Sequence, residues 1–131
     1  MILADTSAWV EYLQATGSQV HTTMRRLIAE ERDLVITDVV VMEVLAGART
    51  EERLARLRRL LNRFELVPII GLADFEAAAD IYRRCRRGGE TVRKLSDCLI
   101  AAVALRANAD LLHSDRDFEA IARHLPLRVA R

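Results

Sequence analysis

Two cysteines, two prolines and one lysine occur among the 131 residues, and no apolar run approaches the ~18 residues that span a membrane. Cys85 and Cys98 form no C-x-x-C pair, and no histidine stands near them at zinc-ligand spacing. That argues against a metal–thiolate centre and leaves free, buried or half-buried thiols suited to a reducing compartment. His21, His113 and His124 are scattered and suggest no ligand set. There is no G-x-x-x-x-G-K segment, which removes the phosphate-cradling P-loop. The opening Met-Ile-Leu-Ala-Asp has neither the basic start nor the longer apolar stretch of a secretory leader, so the expected location is the cytoplasm. Internal repeats and low-complexity linkers are missing as well.

What remains is an ordinary globular balance of 51% hydrophobic and 30% charged residues, at a length suited to one domain over residues 1–131. The net charge is only +1, yet it is unevenly spread. Residues 49–94 hold twelve Arg/Lys against seven Asp/Glu, and Lys94 is the only lysine. Arginine suits phosphate contacts, although an arginine- and alanine-rich composition equally reflects a GC-rich genome.

The apolar spacing predicts alternating strands and helices. Met1–Asp5 reads as a short buried strand, followed by helices over Ala8–Gln14 and His21–Glu31. A strand at Leu34–Ile36 leads into a helix capped by Thr37 or Asp38 and running to Ala48. The helix Glu51–Phe64 shows one stripe of Leu54, Leu57, Leu60, Leu61 and Phe64. Leu66–Ile70 is a strand whose Pro68 suits a sheet edge. Helices follow at Ala73–Arg87, stopped by Gly88-Gly89, and at Ser96–Ala107. The strand Asp110–His113, the helix Phe118–Arg123 and the strand Leu127–Val129 complete the chain. This alternation implies an α/β fold with a central parallel sheet of about five strands and helices on both faces. Chemistry in such sheets collects beyond the carboxyl ends of the strands, near a switch in strand order.

Four acidic residues lie where that rule points or where packing gives them no place. Asp5 ends the first strand and reads equally as a helix cap and as a functional carboxylate, with Thr6 and Ser7 already available as caps. Glu43 interrupts Val39-Val40-Val41-Met42-Glu43-Val44-Leu45-Ala46, and Val39, Val40, Ala46 and Gly47 surround it at helical spacing. A carboxylate there must be paired, metal-bound or lifted in pKa, unless it lies on a solvent edge. Asp97 opens an otherwise apolar helix, where the helix dipole alone would also favour it. Asp115 follows the strand Leu111-Leu112-His113 and is left free if Asp117 caps the last helix. Four carboxylates converging in a small volume require cations between them, and hard Mg²⁺ or Mn²⁺ is the natural counter-charge. A metal pair so held activates water for phosphodiester hydrolysis.

Taken together, Asp5-Thr6-Ser7-Ala8-Trp9, Glu43 in Val-Met-Glu-Val-Leu-Ala-Gly, Asp97 in Ser-Asp-Cys-Leu-Ile-Ala-Ala, and Ser114-Asp115 with Asp117-Phe118 resemble the PIN-domain ribonucleases, and among them the VapC toxins of toxin–antitoxin pairs. The resemblance covers essentially the whole chain. It implies a Mg²⁺- or Mn²⁺-dependent endoribonuclease acting on structured RNA, commonly transfer RNA and in some members ribosomal RNA. It also implies a homodimer and a VapB-type antitoxin that wraps the toxin with its C-terminal segment. By the same carry-over Asp5, Glu43, Asp97 and Asp115 hold the metal, while Ser7 and Ser114 supply hydroxyls behind them. Two other classes compete. A haloacid-dehalogenase-like or receiver-like phosphotransfer protein also places an Asp after its first strand, but the former wants a second Asp where Ser7 stands, and both need a lysine for which Lys94 is the sole candidate. A non-catalytic PIN-like binding domain would gain nothing from four carboxylates facing phosphate.

Overall fold

A computed structural model describes residues 1–31 and 33–131. The elements run β1 (Ile2–Ala4), α1 (Thr6–Leu13), α2 (Gln19–Glu30), β2 (Leu34–Ile36), α3 (Asp38–Ala46), α4 (Glu51–Leu61), β3 (Glu65–Leu66), α5 (Gly71–Arg87), α6 (Leu95–Ala107), β4 (Asp110–Leu112) and α7 (Arg116–His124). All strand pairs are parallel, in the order β3-β2-β1-β4, with Leu3 opposite both Val35 and Leu111. The chain steps outward from β1 to β2 and β3, then returns to place β4 on the other side of β1. The switch in strand order therefore falls between β1 and β4.

The expected fifth strand is reduced to a single parallel bridge from Val129 to Leu111. It is held by Leu111 N donating to the Arg128 carbonyl at 2.8 Å and Ala130 N donating to the Leu111 carbonyl at 2.8 Å. β3 is the opposite edge, but it spans only Glu65–Leu66, so the strand expected at Leu66–Ile70 keeps a single residue and Pro68 lies beyond it. Its exit is pinned by an ion pair between the buried Asp74 and the more exposed Arg106. Arg106 donates through Nε and Nη2 to Asp74, each at 2.9 Å, and Nη2 also reaches the Pro68 carbonyl at 2.7 Å.

α6 is the central helix, with every residue from Asp97 to Ala104 buried. A helix surrounded by protein needs no polar face, which explains its even hydrophobicity. Trp9 of α1 is fully buried and packs edge-on to Tyr12 and tilted against Phe64. These contacts anchor α1, and with it the Asp5 carboxylate at its N-cap.

Four helices, α1, α2, α5 and α7, start two residues earlier than their apolar stripes indicate. α1 begins at Thr6 and α7 at Arg116, so the strand-end residues Asp5 and Asp115 are themselves the N-caps. The assignment of the α7 cap to Asp117 is thereby corrected. Asp115 Oδ1 accepts from Asp117 N at 2.9 Å, and Asp117 turns into the protein with only 4% of its surface exposed.

Candidate active site

The C-terminal ends of β1 and β4 are stitched together just above the sheet. Asp5 N donates to the Leu112 carbonyl at 2.9 Å, and Ser114 N donates to Ser7 Oγ at 2.8 Å. A cleft of about 420 Å³ opens over this seam, walled by Asp5, Glu11, Glu43, Lys94 and Asp97 together with Thr6, Ser7 and Ser114. Three of the four carboxylates expected from the sequence thus share one cavity. Asp115 stands beside it, linked through Asp97. One carboxylate oxygen each from Asp97, Asp115 and Asp117 lies within 4.8 Å of the other two.

The two oxygens of Asp5 have separate duties. Oδ2 accepts from Ser7 N at 2.9 Å and from Ser7 Oγ at 2.6 Å, which caps α1. Oδ1 is buried with no hydrogen-bond partner. Cap and functional carboxylate are not alternatives here, because one side chain serves as the first and offers its second oxygen to the site. Glu43 is half-buried on α3, and its Oε1 accepts from Thr6 Oγ1 at 2.7 Å. The Ser7 hydroxyl bonds to Asp5, whereas the Ser114 hydroxyl turns to Glu11 Oε1 at 3.1 Å.

Burial raises the pKa of Asp5, outweighing the Ser7 hydrogen bonds, and the nearby charge of Glu43 adds to it. Asp97, 3% exposed, is pushed up to about 8. Burial is the main cause, followed by a hydrogen bond shared with Asp117 and the charge of Asp5. Burial also works against the Asp117 carboxylate, but the Asp97 hydrogen bond and Arg93 outweigh it and hold Asp117 low. Asp97 thus keeps a proton that Asp117 accepts. Lys94 is affected in the opposite sense: burial lowers it, yet Asp97, Asp115 and Asp5 outweigh that and hold it charged.

Among the described residues, the buried side-chain oxygens without a partner are Asp5 Oδ1, Asp97 Oδ2 and Asp117 Oδ2. Buried carboxylate oxygens are costly unless something positive meets them. The donors are all hard oxygens, with no thiolate among them, and the set fits a divalent cation of the Mg²⁺ class. Arg93 already meets part of the charge, giving Nη2 to Asp115 Oδ1 at 2.8 Å and Nε to Asp117 Oδ1 at 3.1 Å. Asp117, Glu11, Arg93 and Lys94 are the participants that sequence reasoning did not place here. The spacing Asp115-x-Asp117 was the available signal, since the residue two beyond a cap sits in the first helical turn and points back toward the strand end.

The molecule can be set beside known proteins at this point. The family model for the PIN domain matches residues 2–124. A VapC ribonuclease of Mycobacterium bovis is 47% identical over 131 residues, covering 99% of this chain and 98% of the relative, and ribonuclease VapC11 of Mycobacterium tuberculosis matches to the same extent. Among solved structures, VapBC2 from Rickettsia felis, bound to a DNA fragment from their promoter, superposes with a TM-score of 0.75 at 17% identity, covering 99% of this chain and 98% of that one. The match runs through the strands and helices that carry every carboxylate of the cleft, and the chain belongs to the PIN-domain family and, within it, to the VapC ribonucleases.

Proposed function

We propose that this VapC-family ribonuclease is a Mg²⁺- or Mn²⁺-dependent endoribonuclease that cuts structured RNA, transfer or ribosomal, as the toxin of a toxin–antitoxin pair. The whole chain, residues 1–131, acts as one PIN domain, and the working location is the cytoplasm. The observation that supports this best is the pair of buried, unpartnered carboxylate oxygens, Asp5 Oδ1 and Asp97 Oδ2, on residues that line one acidic cleft.

In this reading Asp5, Glu43, Asp97 and Asp115 hold the metal. A divalent cation bound there supplies charge neutralisation and water activation for phosphodiester hydrolysis. Ser7 occupies one oxygen of Asp5 and so presents the other to the cleft. Thr6 fixes the Glu43 carboxylate from the neighbouring helix. With a divalent cation bound, Asp97 would serve as an ionised ligand, and Arg93, bonded to Asp115 and Asp117, would offset part of the remaining charge.

A VapB-type antitoxin and a second copy of the chain are the expected protein partners. Met42, Ile70, Leu72, Phe75 and Leu95 are all more than half exposed, an unusual supply of large apolar side chains for such contacts. The antitoxin reading adds that a basic residue of the partner reaches the acidic cluster. No described helix is long and apolar enough to cross a membrane.

The test is to map RNA 5′ ends after induced expression of the wild type and of Asp5→Asn. The expected result is a few discrete new ends in transfer or ribosomal RNA, absent in the variant. Toxic wild-type protein with no new ends, or with ends spread through messenger RNA at random, would contradict the proposal.

A further inference from the structure

We propose that Lys94 contacts the substrate, its ammonium binding a non-bridging oxygen of the scissile phosphate at the mouth of the acidic cleft. This rests on the ribonuclease reading above and adds a residue to it. Among the described side chains that wall the cleft, Asp5, Glu11, Glu43 and Asp97 are acidic and Lys94 is the one cation. A phosphodiester brings one negative charge and gathers more as water attacks, so a site built of carboxylates needs a positive group that meets the phosphate itself.

Its placement is fixed from three directions. Val92, 2% exposed, plugs the loop into the core. Glu90, at the start of the same loop, is held by Arg123 and by His124 Nε2 at 2.7 Å. The Lys94 carbonyl accepts from Asp97 N at 3.1 Å, so ammonium and carboxylate are carried by one turn at the start of α6.

For Asp115 and Asp117 the plainer role, neutralisation, is already filled. Arg93 makes the two close bonds to Asp115 and Asp117, whereas Lys94 Nζ makes a single contact of 3.4 Å to Asp115 Oδ2. An ammonium has three donors, and the Lys94 side chain is 55% exposed on the cleft side of that contact. A compact charge on a four-carbon stem can follow a phosphate oxygen as the bond breaks, which the anchored Arg93 guanidinium cannot.

Lys94 is the only lysine in the chain, so an amine-acylating reagent reports on it directly, with the Met1 amine as internal control. With EDTA present to prevent cleavage, structured RNA is expected to slow acylation of Lys94 severalfold and leave Met1 unchanged. In single-turnover cleavage at saturating RNA and Mn²⁺, Lys94→Gln is expected to be roughly 30- to 300-fold slower, comparable to losing one charge-stabilising donor, and Lys94→Arg to recover much of the rate. Mn²⁺ affinity should stay the same or tighten, because a positive neighbour has been removed. Equal acylation with and without RNA, or a Lys94→Gln rate restored merely by more Mn²⁺, overturns the assignment and leaves Lys94 as part of the cluster's charge balance. A wild-type protein that cuts no RNA overturns the ribonuclease reading as well, whereas wild-type cleavage with an unaffected Lys94→Gln overturns only this inference.

Discussion

Replacing Asp97 by Asn should stabilise the metal-free protein near neutral pH. Asp97 is raised from 3.8 to about 8 in the fold, so the native state keeps a proton that the unfolded chain has released. Between those values the native state binds more protons, and the unfolding free energy falls as pH rises. A tenfold difference in proton affinity between the two states is worth about 1.4 kcal/mol. Asp117, held low by the same hydrogen bond and by Arg93, is ionised in both states above pH 5 and adds no slope there. A loss of about 2–4 kcal/mol between pH 5 and pH 8 is therefore expected for the wild type from Asp97 alone. The asparagine amide does not ionise, and it can donate to Asp117 as the protonated carboxyl does. In EDTA at pH 8, Asp97→Asn should accordingly melt roughly 6–12 °C above the wild type, and near it at pH 5. Mn²⁺ at a hundredfold its Kd should close most of that gap, since it adds about 2.7 kcal/mol to the protein that binds it. The assay is thermal unfolding of both proteins at the two pH values, with EDTA and with Mn²⁺. A variant less stable than the wild type at both pH values would refute the reasoning and make Asp97 an ordinary structural carboxylate.

Three further outcomes are expected. Apparent Mn²⁺ affinity should rise close to tenfold per pH unit up to about pH 8 and then level, because the cation displaces the Asp97 proton; calorimetric titration from pH 6 to 9 reads this out. Asp117→Asn should reduce cleavage and also cost stability at neutral pH, because the charge that Arg93 meets is removed, while Asp115→Ala should lose the α7 cap at a cost of about 1 kcal/mol, as urea unfolding would show. Arg83, Arg86 and Arg87 line one surface hollow of about 330 Å³, whereas Arg84 is engaged by Asp80 at 3.0 Å. Changing the first three to Gln should weaken RNA binding and flatten its salt dependence by a slope of about 2–3, measured by fluorescence anisotropy.

The parallel sheet and the order of its elements were legible because short apolar runs alternate with amphipathic ones. Glu43 stood out for a related reason, as a charge in a helix with no polar face to receive it. Helix starts were read two residues late at α1, α2, α5 and α7, since an apolar stripe marks the first buried turn and not the first hydrogen-bonded one. That displacement also made Asp5 and Asp115 look like either caps or functional groups, when each carries two oxygens and caps with one. It placed Asp117 at the surface as a cap, although the residue lies 4% exposed against Asp97. Asp97 itself had no distinguishing local signal, because an acidic residue in a first helical turn is what the dipole favours anyway. Only the family resemblance singled it out. Glu11, Arg93 and Lys94 depend on strand order and on the path of the 88–94 loop, neither of which any local pattern encodes.

The central claim is that these carboxylates hold a divalent cation for RNA hydrolysis. Cleavage of a 5′-labelled structured RNA by wild type, Asp5→Asn and Asp97→Asn, each titrated with Mn²⁺ against EDTA, tests it most directly. Discrete cuts by the wild type should vanish in EDTA and return with Mn²⁺. Both variants should lose at least about 100-fold, the scale expected when charge stabilisation at the reacting phosphate is removed. Wild-type cutting that persists in EDTA, or variants that cut at the wild-type rate, would contradict the claim.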